Sequence, residues 1–219
     1  MRHRLALMDR GFLASKDAPF SPAPVLVLCA LLLTVEAAVH SGLWRDARVD
    51  LVIHFGFRDR MEGIWPPQTP DYRLLSYLAV HGTPRHTAMN VTSLILFGLP
   101  LCRRVGAGLF LLMFATSGAA AALFFAAVSP NQGLLIGASG AIYGLIGAGK
   151  LWEGVFLAHS GGPWLRYLLS FLFFISLNLL ATVVFGWPVA WEVHVAGAGI
   201  GGVLALLYLH RAPPGRMVI

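Results

Sequence analysis

The sequence predicts an all-α membrane protein, a bundle of six transmembrane helices with a long interfacial loop between the first and the second. Three observations carry that prediction. Of 219 residues, 57% are hydrophobic and only 12% are charged, about half the charged fraction of an ordinary soluble domain. Mean hydropathy is +0.72. Six apolar runs, at about 23–40, 86–102, 105–128, 137–152, 164–186 and 191–210, are separated by connectors that hold most of the basic residues, and a run of roughly 20 residues suffices to cross a bilayer.

Residues 1–22 are basic and proline-containing and are read as a cytoplasmic N-terminal segment. The run that follows is long for a signal-peptide core and has no small-x-small cleavage site, so it reads as a retained helix. Residues 23–211 then form one membrane domain, and 212–219 a cytoplasmic tail. The first outer loop, about 41–85, mixes Trp44, Trp65, Tyr72, Tyr77 and the apolar piece LVIHFGF. Aromatic rings in such a mixture suit the headgroup layer.

Orientation follows from Lys and Arg. With the N-terminus inside, the inner segments hold Arg2, Arg4, Arg10, Lys16, Arg103, Arg104, Lys150, Arg166, Arg211 and Arg216, ten in all. The outer ones hold six: Arg45, Arg48, Arg58, Arg60, Arg73 and Arg85. The bias places both termini in the cytoplasm. It also accounts for the net charge of +6, so no nucleic-acid partner is expected. Cys29 lies in an apolar run and Cys102 borders Arg103-Arg104, neither with a metal-ligand spacing.

The fourth run raises a question. In LLIGASGAIYGLIGAGK (134–150) a serine sits among glycines. If Lys150 marks the inner end, a helix starting near Ser139 rises only about 17 Å and must begin within the membrane. Irregular backbone at that depth has to be buried in protein or line a wet cavity, so SPNQGLLIGAS is expected to dip into the bundle. The same helical rise puts Asn90 about 20 Å, His86 about 26 Å and His194 about 24 Å above the inner end. Four polar residues from three spans thus fall in the outer half of the bilayer. Gly140 and Gly144, continued by Ala148, form a small-residue stripe, and Gly197 and Gly201 form another. Facing stripes let helices approach closely and would bring Ser139 within reach of His194.

A titratable residue inside a membrane is costly and points to function. Serine beside a histidine base is a nucleophile–base pair. No carboxylate stands at a helical offset to orient His194, and Glu36, in the first span, reads as the partner of a polar group near the outer interface; a dyad is therefore expected rather than a triad. His86 and Asn90 are i,i+4 on one face. With the Ser139 backbone N–H they can donate to a tetrahedral oxyanion. There is no HExxH, no pair of intramembrane aspartates and no phosphate-binding loop. His81, His86 and His194 lack the cysteine or carboxylate partners usual for a metal site, so no metal and no cofactor are expected.

The pieces YRLLSYLAVHGTPRHTAMN (72–90), GASGAIYG (137–144) and HVAGAGIGG (194–202) together resemble the rhomboid intramembrane serine proteases. The family pattern is an aromatic-Arg pair, two histidines and an asparagine, then Gly-x-Ser-Gly, then His-x-x-Gly-x-x-x-Gly. Tyr72 stands where the family often has Trp, and Pro84 lies between the two histidines. The likeness covers nearly the whole chain except residues 1–22. It implies a hydrolase that cuts single-pass membrane proteins near their outer end. Ser139 would be the nucleophile and His194 the base, and Tyr143 would pack on His194. His86 and Asn90 would line the oxyanion site, supported by His81 and the Gly137 turn, without a cofactor. It also implies a bacterial inner membrane. The sequence does not separate the general family from its rhombosortase subgroup, and it sets no oligomeric state. The rival readings are a catalytically silent rhomboid-like protein that binds membrane clients, and a small channel built on the polar cavity.

Overall fold

A computed structural model describes residues 21–58, 72–128, 134–185 and 190–211. Most of the N-terminal segment, Trp65 of the first loop, residues 129–133 and the C-terminal tail lie outside the described residues. The chain order is α1 (Ala23–His40), α2 (Ala47–Phe55), the two-residue strand β1 (Phe57–Arg58) and α3 (Arg73–Ser76), which passes into a 3-10 turn at Tyr77–Ala79. Next come α4 (Pro84–Ser93), a π turn (Leu94–Gly98) and α5 (Leu99–Val105). The order closes with α6 (Ala107–Val128), strand β2 (Leu134–Leu135), α7 (Ser139–Ser160), α8 (Trp164–Phe185) and α9 (Trp191–Arg211). By length and composition, α1, α6, α7 and the Trp191–His210 part of α9 can each cross a membrane.

Two of these elements differ from the sequence reading, each for a physical reason. The helical path that begins with α4 starts at Pro84 rather than 86. Thr83 is extended and its hydroxyl accepts the His86 N–H at 3.1 Å, while Pro84 fills the first helical position, where its missing N–H costs nothing. The same path runs on to Val105 through the π turn. Pro100 cannot donate to the carbonyl four residues back, and a wider turn just before it takes up the mismatch.

The second difference concerns α7. It runs ten residues past Lys150, to Ser160, and ends on Gly161 in the left-handed region at φ 68°. Lys150 does not mark the inner end of this helix. Its ammonium is held by the Glu153 carboxylate at 2.6 Å and by the Ser170 hydroxyl of α8. It also lies over the rings of Tyr167 and Phe174. A cation partnered in this way can stay inside a bundle. With 22 residues, α7 is long enough to cross a membrane.

The core lies between α6, α7 and α9. Phe110, Met113, Ala121 and Ala122 of α6 meet Ala141, Ile142, Leu145 and Trp152 of α7, with Val193 and Ala205 from α9. Trp152 is fully buried and its indole N–H donates to the Ala205 carbonyl at 3.2 Å. Between α7 and α9 the small residues form a seam. A Cβ on Gly197 would run into the Gly140 carbonyl, one on Gly201 into the Gly144 carbonyl, and one on Gly147 into Ala198. The two backbones are in direct contact, which only residues without side chains permit. Outward positions such as Leu26, Val27, Leu112, Leu123, Val195 and Val203 are apolar and exposed, as a lipid-facing surface requires.

Candidate active site

Ser139 opens α7, and the chain reaches it through a tightly held approach. Strand β2 pairs antiparallel with β1, Leu135 opposite Phe57 and Leu134 opposite Arg58. The Gly137 N–H donates to the Tyr77 carbonyl at 2.9 Å. The Ala138 N–H points at His81 Nε2 at 3.5 Å. Gly137 has φ +104°, and a Cβ there would meet the His86 ring at 2.6 Å. Backbone conformation and space both demand glycine at this turn. The approach is irregular, but the N–H groups of Gly137 and Ala138 are met within the protein, as a low-dielectric setting demands.

His194 comes from the first turn of α9. Its Nε2 lies 2.8 Å from Ser139 Oγ. The ring stacks on Tyr143, one turn after Ser139, with centroids 4.2 Å apart and planes within 8°. That stack limits rotation of the imidazole and keeps Nε2 aimed at the hydroxyl. If the hydroxyl donates, Nε2 is the basic nitrogen and Nδ1 carries the proton.

The α4 helix brings His86 and Asn90. Asn90 is buried, and its amide donates to the His86 carbonyl at 3.0 Å, a bond that takes one of its two hydrogens. The His86 ring packs on the Gly137 turn and meets the His81 ring edge-on at 4.8 Å. His81 is buried outside the helical spans. Burial, and then the neighbouring His86, push its imidazole down to about 3. It is therefore neutral at ordinary pH and able to accept the Ala138 N–H.

One chain of contacts thus joins His81, His86, the Gly137 turn, Ser139, His194 and Tyr143, with Asn90 on the adjacent turn of α4. Gly140, Gly144, Gly197 and Gly201 lie beneath it in the seam. The first N–H groups of α7 have no partner within the helix and concentrate partial positive charge beside Ser139. Chemically, the arrangement offers a hydroxyl, a base at hydrogen-bond distance and donors for a developing anion. Among the described residues no three His, Cys, Asp or Glu side chains gather as a metal-ligand set.

Glu36 has the polar partners expected of it, but the sequence did not say which. Glu36 of α1 accepts from Arg48 at 2.6 Å and from Thr87 at 2.7 Å, and His40 lies 3.0 Å away. A lone carboxylate in an apolar run is the one sign of these contacts in the sequence; nothing there marks Arg48 as the partner.

The sequence matches a known family and several of its members. A family model described as the Rhomboid domain matches residues 69–211. RHOMBOID-like protein 6, mitochondrial, from Arabidopsis thaliana is 30% identical over 150 residues, 66% of this chain and 46% of the relative. RHOMBOID-like protein 4 from the same plant is 30% identical over 144 residues, 64% of this chain and 34% of the relative. Rhomboid-related protein 2 from Mus musculus is 24% identical over 127 residues, 58% and 42% respectively. The chain spans less than half the length of each of these relatives.

Proposed function

The chain belongs to the rhomboid family, and from that premise we propose that it is an intramembrane serine endopeptidase working through a Ser139–His194 dyad. The observation that carries the reading is the 2.8 Å contact between Ser139 Oγ and His194 Nε2, set at a helix N-terminus whose Gly137 turn packs on the His86 ring. As Ser139 Oγ attacks a scissile carbonyl, its proton passes to His194 Nε2. The negative charge that develops on the carbonyl oxygen is met by His86, Asn90 and the first N–H groups of α7. One such donor is worth about 3–4 kcal/mol in the transition state. His194 then hands the proton to the departing amine, and the acyl group stays on Ser139. Water, deprotonated by His194, releases the acid and restores the hydroxyl. These steps use only the chain's own groups and water.

The substrates of this proposal are single-pass membrane proteins cut near their outer end. The topology belongs to it too: six spans, the first loop lying in the membrane interface, and both termini cytoplasmic in a bacterial inner membrane. The multi-pass character stands on the four helices among the described residues that are long and apolar enough to cross a membrane, and on the family. Reporter fusions after Val128 should read as outside and fusions after Arg211 as inside.

A serine-reactive fluorophosphonate should label the wild type. Ser139→Ala and His194→Ala should each abolish labelling and cleavage of a single-pass test substrate while the protein still folds. The double variant should be no worse than either single one, because members of a nucleophile–base unit are strongly non-additive. Near-normal turnover by Ser139→Ala would end the protease reading. Substrate capture without labelling or cleavage by the wild type would favour a silent client-binding protein.

A further inference from the structure

Glu36 is an ionised group on an apolar helix, where an unpartnered carboxylate would be expensive, and its side chain is only 14% exposed. Its bonds reach toward the candidate active site along two routes. On the first, Oε1 accepts from Arg48 Nη2 at 2.6 Å, and the other end of the same guanidinium, Nη1, donates to the His81 backbone carbonyl at 2.6 Å. On the second, Oε2 accepts from the Thr87 hydroxyl at 2.7 Å, on the turn of α4 that carries His86. His81 in turn receives the Ala138 N–H, one residue before Ser139. Carboxylate, guanidinium and hydroxyl thus join α1, α2 and α4 just behind the two histidines that face the nucleophile's turn.

We propose that Glu36 and Arg48 are positioning residues that hold His81 and His86 in register with Ser139, so that donors to the oxyanion are in place when its charge appears. The proposal rests on the protease reading above. The planar fork of Arg48 matters: it reaches a carboxylate and a carbonyl at once from fixed directions. Lysine at this position would keep the charge opposite Glu36 but, as a point donor on a flexible stem, would not clamp both acceptors in one geometry. Misplacing catalytic donors by about 1 Å costs up to about a hundredfold in rate. A network that only glued α1 to α2 would change stability and leave turnover alone.

The test compares wild type, Arg48→Lys, Glu36→Gln and the double variant in detergent. The readouts are steady-state cleavage of a single-pass substrate, the rate of fluorophosphonate labelling and the unfolding temperature. Arg48→Lys should lower kcat by about tenfold to a hundredfold with KM within about twofold. Labelling should slow by a similar factor, since phosphonylation develops charge at the same oxygen. Glu36→Gln should give a smaller loss of the same kind. The double variant should be little worse than Arg48→Lys, because contacting residues of one network do not add. If Glu36→Gln does not fold, Arg48→Lys, which keeps the charge pair, decides alone. Wild-type kcat and labelling in a less stable Arg48→Lys overturn the proposal and leave the protease reading standing. A raised KM at unchanged kcat overturns it as well. If the wild type neither labels nor depends on Ser139 for cleavage, the protease reading itself fails and takes the proposal with it.

Discussion

The two sides of the candidate site are built by opposite means. Below Ser139, the seam between α7 and α9 contains almost no polar side chain. It brings the helices that carry Ser139 and His194 together by removing volume: glycine meets backbone at Gly197 and Gly201. Above it, α1, α2 and α4 are joined by a carboxylate, a guanidinium and a hydroxyl. They are held by hydrogen-bond direction rather than by shape. On the proposed reading, the seam sets how far apart Ser139 and His194 lie, while the polar side sets what surrounds the oxygen that Ser139 would create. A fault in the first should separate nucleophile from base and loosen the bundle. A fault in the second should leave the dyad intact and spoil its transition state.

The seam offers the largest effect. Gly197→Val places a branched side chain against the Gly140 carbonyl, which is backbone and cannot move aside. Overpacking of this kind costs about 1–3 kcal/mol, and here it also pushes His194 away from Ser139. Unfolding temperature and labelling should fall together. A variant that labels normally would show that α9 can slide without disturbing the dyad, and the seam would lose its role as the spacer.

Asn90→Ala probes the polar side with a smaller and cleaner effect. On the proposed reading it removes a donor needed only once charge has developed, so kcat should fall by about 10²-fold with the unfolding temperature nearly unchanged. The reverse outcome, normal kcat and lower stability, would make Asn90 an element of helix packing and leave His86 and the backbone to serve the oxygen.

Ser117→Ala sharpens the contrast with the smallest effect. Ser117 of α6 is fully buried against Gly144, and its hydroxyl has no hydrogen-bond partner among the described residues. Deleting an unsatisfied buried hydroxyl removes a desolvation cost of about 1–3 kcal/mol. Activity should be retained, and the unfolding temperature should hold or rise. A drop in kcat would mean that this hydroxyl serves the site despite lying outside its motifs.

The seam and the site's residue types were legible in the sequence because they are encoded locally. A stripe such as Gly140–Gly144 or Gly197–Gly201 repeats with the helical period, and period is visible without coordinates. Ser139, His86, Asn90 and His194 stood out because polar side chains are rare in apolar runs. The mean hydropathy of the long helices likewise depends on nothing beyond composition.

Tertiary structure decided the matters that turn on partners far apart in the chain. Glu36 meets Arg48 twelve positions on and Thr87 fifty-one positions on, and Arg48 reaches a carbonyl thirty-three positions on. No periodicity links such residues, and one of the acceptors is backbone, which leaves no mark in a sequence. The true end of α7 was hidden for a related reason. Lysine does not by itself end a helix, and α7 runs on past Lys150, which bonds Glu153 and Ser170 and lies over two aromatic rings. A sequence states which charges a chain carries; whether each is solvated or paired depends on which helix the fold brings alongside.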